Sequence, residues 1–417
     1  MAYQTNKRKI INDPVYGFIS IPGELIFDII EHPWFQRLRN IKQLGLTSFV
    51  YPGANHSRFQ HAIGAFHLME MAISTLRSKG VDISHEEEEA TYLAILLHDI
   101  GHGPFSHALE NSIIEGITHE DISLLLMKKL DEQFPGKLSL AIEIFLGRYQ
   151  REFLHELISG QMDMDRLDYL RRDSFFTGVI EGSVGSERII RMLNVADEHL
   201  VVDEKGIYSL ENFLIARRLM YWQVYMHKTV LSSESLLVKL LKRARELASS
   251  GTDLYTTPAL KFFLKNKFEN NDLWRERMFT PGIIAANFVR LDDTDILASA
   301  KYWTDHSDKV LSDLAGRLIN RNLFAIELQN DPFPEEKLTG LKKMAGDLMK
   351  ISPEHLDYYV YAGTISNLAY TPDAPEVKIL LKNGKTDVIS SVSDMFDQRF
   401  ISERVTKYFI CYPKECR

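Results

Sequence analysis

His61, the adjacent pair His98 and Asp99, and Asp165 lie far apart along a chain of 417 residues, yet together they make up a metal-binding set. Two imidazoles and two carboxylates form a mixed nitrogen and oxygen donor group that suits Mn, Fe, Co, Ni or Zn, whereas an all-oxygen group favours Ca or Mg. The donors do not choose among those transition metals. Such an ion lowers the pKa of bound water from about 15.7 toward about 7, which supplies hydroxide at neutral pH without a strong protein base. Hydrolysis of a phosphate ester needs that nucleophile.

The elements that must position these side chains are legible around them. His98 and Asp99 stand in Leu96-Leu97-His98-Asp99-Ile100-Gly101-His102-Gly103-Pro104, where an apolar run meets a glycine-proline break. A helix reaching Leu97 therefore delivers the pair at its C-terminal end, beside a turn. Ser84 followed by Glu87 reads as the capping box that opens this helix. The glutamates from Glu86 to Glu89 favour the positive helix N-terminus and are expected to face solvent. Gly101 and Gly103 are expected to give the turn backbone conformations closed to other residues, so that it wraps tightly around an ion or a phosphate. Eight of the fourteen histidines, at positions 56, 61, 67, 85, 98, 102, 107 and 119, fall in this region. His67 and His85 read as ordinary core or surface residues.

Helical periodicity dominates from about Gly23 to Met349, with Gly and Pro punctuation in place of extended alternating strands. Apolar positions between Ser209 and Ser249 predict one long or broken helix stopped by Ser250-Gly251, with residues 252–258 as a hinge. Val377 to Leu381 and Thr386 to Ile389 read as two strands joined by an Asn383-Gly384 turn. An irregular stretch is expected around Thr371 to Pro375. The fold class is therefore mainly α, a helical core followed by a small α+β C-terminal lobe. We divide it into an N-terminal segment 1–45, a core 46–250 and a lobe 251–417.

Composition narrows the function. With 45% hydrophobic residues the chain can bury a large core, and its net charge of −8 lacks the basic excess of a dedicated nucleic-acid binder. Small anionic substrates held by a few arginines fit better. Cys411 and Cys416 alone build neither a disulfide framework nor a zinc ribbon, so both are read as reduced thiols. No apolar run approaches a membrane span and the first residues lack a signal peptide, so a cytoplasmic location is expected.

Three ordered blocks carry a resemblance: His61-Ala62-Ile63-Gly64, His98-Asp99, and Asp163-Met164-Asp165-Arg166-Leu167-Asp168-Tyr169. They are similar to the H...HD...D signature of the HD-domain phosphohydrolase superfamily. The stretches from Pro52 to His61 and from Gly101 to His107 resemble its deoxynucleoside triphosphate triphosphohydrolase (dNTPase) branch. The likeness begins at Ile10-Ile11-Asn12-Asp13-Pro14, runs through Phe35 to Arg39 and Gln43-Leu44-Gly45 into Arg217 to Lys228, and then thins. Asn320 to Phe324 and Tyr408 to Tyr412 are similar to the C-terminal part of mammalian members that carry a SAM module. That module is not expected here, because the match starts within ten residues of Met1.

The resemblance implies that His61, His98, Asp99 and Asp165 bind the metal and that Arg58 and Arg166 face phosphate oxygens, with Mg a further companion of the phosphates. Relatives more often have lysine at position 166. Gln43, Leu44, Tyr169, Asp173, Arg217 and Tyr225 match nucleotide-contacting positions, with Tyr169 against carbon 2 of the sugar and Asp173 accepting from its 3′-hydroxyl. Tyr169 and Asp173 are four apart on one helix face. Read without the family, Tyr169 is a core residue and Arg171, Arg172 and Asp173 are surface ion pairs of little worth.

The implied reaction is attack of metal-activated water on the α-phosphorus of a dNTP, releasing deoxynucleoside and inorganic triphosphate. His107 is the first candidate for the acid that protonates the leaving oxygen, supported by His102, Glu110 and His119. Lys9, Ile10, Asn12, Gln36, Arg39, His227, Lys228 and Arg321 match parts of a nucleotide effector site for GTP or a dNTP. Glu31 stands there in place of a shorter aspartate, and Ala325 in place of a basic residue. A homo-dimer or homo-tetramer is expected. Competing readings are another HD hydrolase acting on nucleoside monophosphates, cyclic nucleotides or alarmones, and a non-catalytic nucleotide sensor or nucleic-acid-binding regulator.

Overall fold

A computed structural model describes residues 9–109, 116–266, 282–367, 376–395 and 405–417. Its centre is helix α1 (Arg58–Ser78), which buries residues on every side, from Phe59 and His61 through Phe66 and Met69 to Leu76. A helix apolar all round must be enclosed by others. Helices α2 (His85–Leu97) and α4 (Met164–Thr177) pack against it, and α3 (His119–Gln133) follows the His-Asp turn. Helices α5 (Ile207–Met220), α6 (Lys228–Ser249), α7 (Asp293–Trp303) and α8 (Lys309–Ile319) continue the helical body.

Local chemistry fixes the helix ends. Ser84 and Glu87 form the expected capping box: Glu87 N donates to Ser84 Oγ at 3.1 Å and Ser84 N to Glu87 Oε2 at 2.8 Å. Glu87 is not on a solvated face as expected. It is buried, because Tyr149 donates to it at 3.0 Å and Arg151 lies 3.3 Å away. Asp163 caps α4 by accepting from Arg166 N at 2.6 Å, and Gly178 ends that helix at φ +77°. The helix expected across 209–249 is broken: a π-type turn, Tyr221–Tyr225, separates α5 from α6.

Among the described residues nine strands accompany the helices: β1 (Lys9–Asp13), β2 (Gly17–Ile21), β3 (Leu193–Ala196), β4 (His199–Asp203), β5 (Ala325–Gln329), β6 (Tyr361–Asn367), β7 (Lys378–Leu380), β8 (Thr386–Val388) and β9 (Val405–Tyr412). β1 and β2 form an antiparallel hairpin, β3-β4-β7-β8 a four-stranded sheet, and β5-β9-β6 a three-stranded sheet. The β7–β8 pair with its Gly384 turn is the expected hairpin. Strands β3, β4 and β5 correct the strand-free reading of residues 23–349. Each is only four or five residues long, too short to outweigh the helical pattern around it. The mainly α class with a sheet-bearing C-terminal region holds. The stretch 371–375 lies outside the described residues.

Gly101 has a different reason from the one expected, since neither it nor Gly103 takes a left-handed φ. A methyl group at Gly101 would stand 2.2 Å from the carbonyl oxygen of His119 and 2.3 Å from the backbone nitrogen of Ser123. Ser123 needs that approach, because its hydroxyl donates to His98 O at 2.6 Å and accepts from Gly101 N at 2.9 Å. Gly101→Ala is therefore expected to cost ~2 kcal/mol of stability. Urea unfolding that moved by less than ~0.5 kcal/mol would show that α3 gives way freely.

Candidate functional site

The four sequence-predicted ligands converge. His61 projects from α1, His98 caps α2, Asp99 follows it, and Asp165 lies in the first turn of α4. His61 Nε2 is 3.1 Å from Asp165 Oδ1 and 3.6 Å from Asp99 Oδ2. His98 Nε2 is 3.4 Å from Asp99 Oδ1 and 3.7 Å from Asp165 Oδ1. Donor atoms of His61, His98 and Asp99 lie within 4.8 Å of one another, close enough to share an ion.

Both imidazoles are set up as ligands. His61 Nδ1 bonds Asp168 Oδ2 at 2.7 Å and His98 Nδ1 bonds the carbonyl of Ile95 at 2.6 Å. Since those partners are acceptors, each Nδ1 carries hydrogen and each Nε2 is the nitrogen left facing the centre, able to give its lone pair to a cation once any proton on it is lost. Both Nε2 atoms are buried with no hydrogen-bond partner of their own. Buried polar atoms seldom stay unsatisfied, and a divalent cation fits these two as no protein donor can. Burial works against charge on His61, but Asp165 and Asp168 overcome it and hold this imidazole up to about 10. Asp99 is held well below the ordinary carboxylate range against burial, by Arg58 first and then His98 and His102.

The turn after the pair is braced from a distance. Arg37, itself buried, donates to the carbonyls of Ile100 at 2.8 Å and His102 at 2.9 Å. Asp293 at the start of α7 accepts from Phe105 N at 2.7 Å and Lys42 N at 3.0 Å. Phe105 and Ser106 both sit at φ +56°, strained for residues with side chains and held there by these bonds. Ser106 Oγ donates to Lys42 O at 2.8 Å and accepts from Arg58 Nε at 2.7 Å. Arg58 also pairs directly with Asp99. Sequence reasoning missed Arg37 and Asp293, which nothing in local periodicity marks.

A second cluster adjoins the first. Asp173 Oδ1 bonds His56 Nε2 and its Oδ2 accepts from the Tyr225 hydroxyl, each at 2.7 Å. The Tyr169 and Tyr225 rings are 6.2 Å apart, edge to face. His56, unassigned from sequence, stacks on Phe176 at 4.5 Å. Gln43 meets His56 through the backbone bond Gln43 N to His56 O at 3.0 Å, and its Oε1 is buried without a partner. Leu44 beside it is half-buried against the core. Arg217 is buried with Nε and Nη1 both lacking an acceptor, so it is a cation awaiting an anion. Arg217 sits at the end of α5 and Tyr225 in the π-turn, so the two do not share one helix as the sequence implied. Arg166 pairs with Asp163.

The remaining candidates divide. His102 Nε2 is 3.3 Å from Asp99 Oδ1, and its ring stacks on His119 at 3.9 Å. Burial, then Arg58, pushes His102 well below its usual pKa, which makes it a neutral orienting group. The His107 backbone belongs to the turn Ser106–Leu109, while its side chain and Glu110 lie outside the described residues. Of the effector candidates, Asn12 and Arg39 line a cavity of about 280 Å³ with Ile11, Asp13 and Phe59. Lys9 stands over the Phe27 ring, Ile10 is exposed, and Gln36 accepts from Arg39 at 2.7 Å. His227 lies 6.1 Å from Tyr51 as the N-cap of α6, ahead of Lys228, and Arg321 donates to Phe49 O at 2.9 Å. The eight thus form two groups, one at the β1–β2 hairpin and one at the Phe49–Tyr51 turn.

Residues 58–173 match the HD domain family and residues 184–257 the HD associated region. A crystal structure of a phosphohydrolase from Bacteroides thetaiotaomicron is 51% identical, with a TM-score of 0.93 over 97% of this chain and 100% of that one. The chain belongs to the HD-domain phosphohydrolase family. Among curated proteins it is 33% identical to the uncharacterized protein YwfO of Bacillus subtilis, over 100% of this chain and 95% of that protein. It is 30% identical to the deoxynucleoside triphosphate triphosphohydrolase SAMHD1 homolog of Dictyostelium discoideum, covering 74% of this chain and 64% of the relative. It spans 45% of the Gallus gallus SAMHD1 enzyme, at 31% identity. Among the described residues no helix is long and apolar enough to cross a membrane.

Metal loading should be coupled to proton release. In the metal-free protein His61 is protonated below about 10. An ion at Nε2 must displace that proton, so affinity falls as pH is lowered, by up to about tenfold per unit for each proton lost. Calorimetry at pH 7.5 in buffers of different ionisation enthalpy is expected to show about one proton or more released per ion. Zero release would mean that His61 stays out of the coordination shell.

Proposed function

We propose that this HD-domain phosphohydrolase is a dNTP triphosphohydrolase, cleaving the bond between the α-phosphorus and the sugar 5′-oxygen to give deoxynucleoside and inorganic triphosphate. The observation that carries the reading is the position of Asp173, with Tyr169 and the unpaired guanidinium of Arg217, beside the His61, His98, Asp99 and Asp165 cluster. The names of the SAMHD1 relatives point to the same substrate class.

His61, His98, Asp99 and Asp165 would hold a transition metal, whose chemistry when bound would be that of a Lewis acid that acidifies water. The chain's own residues do the rest. Arg217, Arg58 and Arg166 meet the triphosphate, the last two by sharing their guanidinium groups with Asp99 and Asp163. Burial and Asp173 raise the Tyr225 phenol well above its usual pKa, so it stays a neutral donor that aims Asp173 at the sugar hydroxyl. Burial does the same to Tyr169, whose ring packs on the sugar. Gln43 Oε1 offers a further acceptor. His107 donates the proton to the departing 5′-oxygen, while His102 and His119 orient Asp99 through their stack.

We place a nucleotide effector, GTP or a dNTP, between the hairpin group and the Phe49–Tyr51 group of neighbouring subunits in a homo-dimer or homo-tetramer. The cavity of about 280 Å³ at Asn12 and Arg39 is smaller than a typical nucleotide-sized pocket, which fits a site completed by a second subunit.

Purified protein incubated with each dNTP, singly and mixed, with Mn or Mg and with or without GTP, is expected to yield triphosphate and free deoxynucleoside on anion exchange. Orthophosphate or pyrophosphate as product would point to another HD hydrolase. No turnover with metal bound would point to a nucleotide sensor. His107→Ala should lower kcat by roughly 10²–10⁴-fold with metal retained, and Asp165→Ala should lose the metal first. Sedimentation should show a dimer or tetramer. A monomer at micromolar concentration with full, GTP-independent turnover would remove the effector assignment.

A further inference from the structure

Beneath His61 runs a chain of buried charge that the reaction itself does not use. His61 Nδ1 bonds Asp168 Oδ2 at 2.7 Å. Arg172 grips the same carboxylate with two hydrogen bonds, Nε to Oδ2 at 2.9 Å and Nη2 to Oδ1 at 3.0 Å. The far side of its guanidinium reaches strand β1, where Nη1 donates to Asp13 Oδ2 at 2.7 Å and Nη2 to Oδ1 at 3.3 Å. His61, Asp168 and Arg172 are 0% exposed and Asp13 is 4% exposed.

Space for this chain is made by Gly64 on α1. A methyl group there would stand 2.1 Å from both Arg172 Nη2 and Asp168 Oδ1. Asp13 is fixed independently, since Oδ1 also accepts from Val15 N at 2.9 Å and Tyr16 N at 3.1 Å and so closes the hairpin turn. The hairpin thus sets where Asp13 stands, and Asp13 sets the rotation of the Arg172 fork.

Charge explains why a second carboxylate is useful. Arg172 with Asp168 alone would be a neutral pair and a weak acceptor for His61. Asp13 restores a net negative charge to the group, in a buried setting where it is screened less than at the surface. A stronger acceptor at Nδ1 makes Nε2 a better donor to a cation and holds the ring in one orientation.

We propose that Asp13 is a positioning residue for the metal ligand His61, acting through Arg172 and Asp168. The inference rests on His61 being a ligand, as in the function proposed above, but not on the identity of the substrate.

The test is the dissociation constant for Mn²⁺, measured on the full chain by competition with a chelator. Asp13→Asn keeps an oxygen for the Val15 and Tyr16 amides but loses the charge. It is expected to retain the far-UV spectrum and to weaken Mn²⁺ binding about tenfold or more. Asp308→Asn, which breaks the part-buried Arg243–Asp308 pair (2.6 Å) away from the site, controls for general loss of stability and should bind within about twofold of the original protein. Where Asp13→Asn does not fold, Arg172→Lys keeps the charge and the Asp168 pair and should show the same weakening. Unchanged Mn²⁺ affinity in the folded variant, or an equal loss in Asp308→Asn, overturns the assignment. Stoichiometric Mn²⁺ binding with no dNTP turnover would remove the proposed substrate and leave this inference standing.

Discussion

The hydrogen bond from His61 Nδ1 to Asp168 is the contact on which the site depends, because it puts an ionised carboxylate in the middle of a helical core. A buried carboxylate without partners costs several kcal/mol. Asp168 is tolerated because Arg172 neutralises it and Asp13 in turn satisfies Arg172. The same arithmetic recurs around the cluster, where Asp99 takes Arg58 and Asp163 takes Arg166. Arg217 breaks the pattern: it is buried like Arg58 and Arg172 but has no acceptor at two of its nitrogens. The triphosphate proposed as substrate is an anion that could supply the missing partner.

Much of this was readable in the chain. The His98-Asp99 pair at a helix end, the Ser84 and Glu87 capping box and the Asn383-Gly384 turn are local signals with a range of three or four residues, and each appears where expected. Asp168 and Arg172 show what local reading misses. Four residues apart on a helix, such a pair reads as a solvated ion pair, yet here both are fully buried. What buries them is the missing side chain at Gly64 and the hairpin at Asp13, both more than a hundred residues away. Arg37 and Asp293 also brace the turn from far along the chain, 63 and 188 residues away, and leave no periodic trace. Gly101 was marked correctly for the wrong reason, since close approach of α3 and not backbone freedom demands it.

Helix α4 connects the His61, His98, Asp99 and Asp165 cluster with the Asp173 and Tyr225 cluster. Asp165, Tyr169 and Asp173 are spaced by four and form one stripe, while Asp168 and Arg172 form another turned toward α1 and β1. The first stripe carries the residues proposed to meet metal and substrate, and the second anchors the helix. With a rise of 1.5 Å per residue, Asp165 and Asp173 are separated by ~12 Å along the axis. Asp165 meets His61 and His98 at one end of that span, and Asp173 meets His56 and Tyr225 at the other. A rigid helix therefore acts as a ruler, and the anchoring stripe keeps it in register. Sliding α4 by one residue would rotate Asp168 away from His61 and Asp173 away from Tyr225 together, so the two ends of the site cannot be adjusted independently.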